Sequence, residues 1–146
     1  MTIILRIIHD LTQVHPLHTM IVHFPIALTA SALFFILLAL WKRSDILEQV
    51  AFANLSLAAV STVVAAITGI RDNLLYFNGG APNHIAKIIL AISLFVLTTI
   101  TSVVRWRNKD LFHKPHGRAI YVLAYVVCFL IASVLSFLGG VIIYGF

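Results

Sequence analysis

The chain has 146 residues, of which 61% are hydrophobic and 10% charged, whereas a soluble domain carries roughly 25% charged residues. The net charge of +5 comes from basic residues set between apolar runs, not on an aromatic-laced basic face, so it points to a membrane and excludes a nucleic-acid partner. The single cysteine, Cys128, excludes an internal disulfide and a cysteine-based metal cluster within one chain, and reads as a small packing residue.

Residues 1–14 are too short to span a bilayer. Arg6, His9, Asp10 and Gln13 recur at three- and four-residue steps, with Ile4, Ile7, Ile8 and Leu11 on the other face. This predicts an amphipathic helix lying in the interface. No cleavable signal peptide is read, because the first apolar run comes late and is too long for one.

Residues 15–146 form the membrane domain. Four apolar segments follow, at Leu17 to Trp41, Ile46 to Ile70, His84 to Val104 and Ala119 to Tyr144, each near the roughly 20 residues that cross the hydrocarbon core. Backbone groups in lipid must pair within their own segment, so these are helices. The fold class is all-α, an integral membrane four-helix bundle with a short N-terminal interfacial helix. The connections after the first and third spans carry Lys42, Arg43, Arg105, Arg107, Lys109, Lys114 and Arg118; the opposite side has Arg6, Arg71 and Lys87. The positive-inside rule puts those two connections in the cytoplasm and both termini on the outer side of a bacterial inner membrane.

Pro25 falls inside the first span and predicts a kink near Ile21 to Phe24, or alternatively a place in the first helical turn. Ala124, Cys128, Ala132, Ser136 and Gly140 predict a small-residue stripe on the fourth span. The second span offers Ala58, Thr62 and Ala66, with Ala65 and Gly69 beside them. Such stripes allow close helix approach, inside the bundle or between copies; homo- and hetero-oligomers stay open.

The chemistry concentrates at the outer mouth. His15, His18 and His23 stand at the start of the first span, and His84 opens the third after Asn83, a predicted N-cap. Histidine is costly in lipid and is a frequent haem and metal ligand. Three readings follow. One is haem b held by two histidines on different helices, with His23 and His84 preferred and Arg71 or Lys87 near the propionates. A second is a copper, iron or zinc site built from His15, His18, His23 and either Asp72 or Asp10. The third is a set of interfacial histidines bonded to backbone and water. His113 and His116 lie in the opposite loop and are explained by its polarity. Tyr76 and Phe77 suit an interfacial anchor. No H-E-x-x-H, G-x-S-x-G or P-loop pattern occurs, so no catalytic residue is assigned and enzymatic activity stays open. No carboxylate is expected buried mid-span, which argues against a proton-coupled transporter.

The segments His15-Pro-Leu-His18 through Val22-His23-Phe24-Pro25, Thr68-Gly69-Ile70-Arg71-Asp72 followed by His84, and Leu138-Gly139-Gly140 through Tyr144-Gly145 occur in this order. In them the chain resembles a bacterial membrane family catalogued as domain of unknown function 2231, from about His15 onward. The resemblance implies a four-helix membrane protein with a histidine-bearing outer face and carries His15, His18, His23, Asp72 and His84 as positions of interest. Some relatives accompany redox and cytochrome components, which implies electron transfer, with quinol and a cytochrome as candidate partners. The alternative expectation is a structural or assembly subunit without a cofactor.

Overall fold

The computed structural model describes residues 3–5 and 17–144, with side chains up to Val141. Ile3, Ile4 and Leu5 are helical and exposed; the rest of the expected interfacial helix, and His15 with it, lies outside the described residues. Beyond it come α1 (Leu17–Ile21), α2 (His23–Lys42), α3 (Asp45–Phe77), α4 (His84–Arg107) and α5 (Pro115–Tyr144). Four helical stretches are long and apolar enough to cross a membrane: Leu17–Lys42, Asp45–Phe77, His84–Arg107 and Pro115–Val141.

Short connections force consecutive helices to run antiparallel. Packing runs around a ring, α2 on α3, α3 on α4, α4 on α5, and α5 back on α2, so α2 and α4 stand across the diagonal. The α1 segment packs mainly on α3. Pro25 has no N–H to offer the carbonyl of Ile21. The helix is accordingly interrupted at Val22, and Pro25 sits buried in the first turn of α2. Both expectations for this proline therefore hold: the chain breaks before it, and it begins the new helix.

Each helix turns a seam of three- and four-residue steps inward. On α2 this is Pro25, Thr29, Ala32, Ile36 and Ala39. On α3 it runs Glu48, Ala51, Leu55, Ala58, Thr62, Ala65 and Asp72. Leu94, Thr98 and Thr101 serve on α4, and Tyr121, Tyr125, Cys128 and Ala132 on α5. Many of these are alanines, which let backbones approach where lipid supplies no hydrophobic drive. Large apolar residues such as Phe34, Val60, Ile92 and Phe137 point outward instead, as a lipid-facing surface requires.

The stripe expected at constant four-residue spacing is corrected in detail. Each such step overshoots a helical turn by about 40°, so the run walks around the helix. Cys128 and Ala132 are buried between helices of one bundle, whereas Ser136 is exposed. On α3, Ala65 takes the inward place and Ala66 is exposed.

Three charged residues at or near the edges of the expected spans lie inside helices. Glu48 is buried in the first turn of α3, Asp72 is buried in the same helix five residues before its end at Phe77, and Arg105 belongs to α4. A hydropathy boundary stops at a charge. A helix continues through it when a neighbouring helix offers a partner.

Candidate functional site

The bundle has two polar ends, and His18, His23 and His84 occupy one of them. Here Asp72 reaches across from α3 to the start of α1. Its Oδ2 accepts the backbone N–H of His18 at 2.8 Å, and its Oδ1 accepts Arg71 Nη1 at 2.7 Å. A carboxylate from another helix thus satisfies one of the first N–H groups of the segment, which the short helix cannot pair itself.

The His18 ring is held from the same helix. Its Nδ1 lies 2.9 Å from the carbonyl oxygen of Ala65. A carbonyl only accepts, so Nδ1 carries the proton, and in the neutral ring Nε2 keeps its lone pair. The ring lies against Gly69: a Cβ there would meet His18 Nδ1 and Cε1 at 3.1 Å. A methyl group at 69 would press on the ring and require it to give by a few tenths of an ångström.

His84 shows the same chemistry on a different scaffold. Its Nδ1 donates to the carbonyl of Ala81 at 2.9 Å, again leaving Nε2 as the acceptor. The loop that presents Ala81 is tied by Asn73, whose Oδ1 accepts Ala81 N–H at 2.9 Å and whose Nδ2 donates to the Gly79 carbonyl at 3.2 Å. Gly79, with φ of 83°, and Asn78, with φ of 49°, take the left-handed turns that this loop requires. Asn83 stands at the expected N-cap position, but its backbone is left-handed and its side chain makes no capping bond.

His23 begins α2 and is exposed, on the side opposite buried Pro25. Among the described residues no group of three or more His, Cys, Asp or Glu is placed to share a metal ion, so His18, His23 and Asp72 are not gathered as one ligand set. Arg71 and Asp72 join His18, and Lys87 of α4 lies within electrostatic range of its ring. At the far end His113 Nε2 approaches Asp45 Oδ1 at 3.6 Å, both exposed.

That far end holds the cluster the sequence reading missed. Glu48, 1% exposed, accepts Arg105 Nε at 2.6 Å on Oε1 and Arg105 Nη2 at 2.7 Å on Oε2. Tyr121 donates its hydroxyl to Glu48 Oε1 at 2.9 Å, and the hydroxyls of Tyr121 and Tyr125 lie 2.7 Å apart. The guanidinium also sits 5.8 Å from the centre of the Phe52 ring. Three helices are joined by one buried, fully bonded group. The available signal was register: Glu48 and Arg105 fall on the inward steps of their helices.

No curated protein and no solved structure matches the chain. One family model, described as a predicted membrane protein, matches residues 14–146; the chain belongs to this family, DUF2231, and is a membrane protein of four helices.

Proposed function

We propose that the protein is a membrane redox protein that carries haem b at its histidine end, ligated by His18 and His84, and passes electrons between membrane quinol and a cytochrome outside. The carrying observation is the shared state of the two rings. Each fixes its Nδ1–H against a backbone carbonyl, at 2.9 Å in both cases, and so leaves the lone pair on Nε2, the nitrogen that would bind iron. Such an outer hydrogen bond sets tautomer and ring orientation at metal-binding histidines. His18 replaces His23 in the pair first suggested by spacing, because His18 packs on α3 whereas His23 faces away from the core.

The surrounding packing supports the same reading. Among the described side chains, none from His84 to Ser93 on α4 or from Ser133 to Val141 on α5 is buried. Burial on these two helices is confined to the other half. The charge distribution supports an orientation with this end outward in a bacterial inner membrane. A bound haem supplies one-electron chemistry. The protein's own part would be to fix the Nδ1–H of each imidazole against a backbone carbonyl, so that Nε2 is the nitrogen offered to the iron.

The test is a reduced-minus-oxidised visible spectrum and metal analysis of protein purified in detergent and reconstituted with haem. A low-spin spectrum is expected, lost in both His18→Ala and His84→Ala. A colourless, metal-free protein after reconstitution would overturn the redox reading in favour of a structural subunit.

A further inference from the structure

Away from the histidines, the outer surface where α3 meets α4 carries a groove. Two adjoining hollows share Ser56, Ser102 and Val103. One reaches Phe52, Ala53 and Trp106, and the other runs on to Val63, Val64 and Phe95. Side-chain size accounts for it. Ala53, Ser56 and Ala59 recur at three-residue steps on α3, as Thr99 and Ser102 do on α4. Ser56 donates to Ser102 at 3.2 Å across the two helices, so short side chains meet at the base. Bulkier Val60, Val63, Phe95, Val103 and Trp106 are exposed beside them. Apart from Ser56, Thr99 and Ser102, the lining is apolar. An open furrow forfeits dispersion contacts unless a chain or a helix fills it.

Length and charge choose between these occupants. Phe52 to Val64 is about 18 Å of helix at roughly 1.5 Å per residue, close to one leaflet of a hydrocarbon core about 30 Å thick. The groove ends at Trp106, 71% exposed, and an interfacial tryptophan marks the level of lipid headgroups. Arg107 follows it and Lys109 stands in the turn beyond, both exposed. Glu48 at this end is already paired with Arg105. Apart from that pair, Lys42, Arg43, Arg107, Lys109, Lys114 and Arg118 outnumber Asp45 and Asp110 here. A second copy, inserted the same way up, would bring its own basic end against this one.

We propose that the α3–α4 groove binds an anionic phospholipid from the leaflet at the Glu48 end. One acyl chain lies along the groove from Phe52 to Val64, and the phosphate meets Arg107 and Lys109 beside Trp106. Basic pockets between membrane helices recognise anionic headgroups by this charge complementarity. The apolar groove holds the chain, and the basic mouth selects the headgroup. The site is independent of any ligand at the histidine end.

Quenching of Trp106 fluorescence by brominated acyl chains tests this. The full chain carrying Trp41→Phe, so that Trp106 is its one tryptophan, is reconstituted in phosphatidylcholine vesicles. Brominated phosphatidylglycerol should quench at about a tenth of the mole fraction that brominated phosphatidylcholine needs, the scale of two basic residues at an anionic headgroup. Arg107→Gln should reduce that preference by about fivefold, the scale of one such residue. Ala53→Leu, an exposed position that fills the groove, should reduce it comparably with all charges kept. Equal quenching by the two brominated lipids would overturn the proposal. A preference unchanged in Ala53→Leu would overturn the groove as its seat, leaving a general attraction to the basic end. A dimer in detergent whose Trp106 resists quenching by both lipids would give the groove to a second copy instead.

Discussion

The two polar ends of the bundle use similar residues to opposite effect. At the glutamate end, Glu48, Arg105, Tyr121 and Tyr125 bond to one another from three helices, and three of the four are nearly inaccessible. At the histidine end, Asp72 is equally committed, but among the described residues the rings of His18 and His84 bond through Nδ1 alone. A network with every group satisfied is a fastening. A set of groups whose second ring nitrogen has no bond among the described residues is what the haem proposal draws on. The difference lies in which valences are left over, not in which residue types are present.

The largest break in this comparison is Arg105→Ala. It leaves the Glu48 carboxylate buried with only Tyr121, and removing one partner of a buried pair costs about 3–5 kcal/mol. Thermal unfolding in detergent should show a lowered midpoint. The double replacement Glu48→Leu with Arg105→Met should recover most of that stability, because it deletes both charges at similar volume. A double variant no more stable than Arg105→Ala would mean that the charges themselves, beyond their mutual pairing, hold the fold. Neither change should alter ligand binding at the histidine end.

Gly69→Ala is the intermediate case and acts at the other end. The new Cβ would stand 3.1 Å from the His18 ring, so the ring must shift away from α3 and lengthen its bond to the Ala65 carbonyl. Overpacking of this kind costs about 1–3 kcal/mol, less than the loss of the buried pair. The sharper readout is the haem spectrum, which should change in Gly69→Ala far more than stability does. A variant with normal spectrum and normal stability would show that the close packing of ring on glycine is dispensable.

Much of this was legible before any coordinates. Four helices, their antiparallel order and the shared end of the bundle at which His18 and His84 fall follow from the apolar lengths and the short connections, since lipid leaves the backbone few choices. The inward positions of Glu48, Asp72 and Arg105 were not read, because a charge next to an apolar run marks an edge on any hydropathy scale. Their partners come from other helices, at separations of 57 residues for Arg105 with Glu48 and 54 for His18 with Asp72. The choice between His18 and His23 was likewise hidden. Sequence gives depth along a helix, but the interruption at Val22 changes which face each histidine presents.

The smallest expected effect tests that last point. His23 is the deepest of the three N-terminal histidines by position, and on depth alone it is the one hardest to explain without a ligand. Its face says otherwise: it starts α2 exposed, opposite the buried Pro25. A surface substitution that touches no core contact changes stability by less than about 0.5 kcal/mol. His23→Ala should therefore leave both the unfolding midpoint and the reconstituted spectrum unchanged, while His18→Ala loses the spectrum. If the spectrum instead disappears in His23→Ala and survives in His18→Ala, depth outweighs facing, and α2 must rotate from the register described here to bring His23 inward. The pair of variants thus decides which rule governs histidine placement at this end of the bundle.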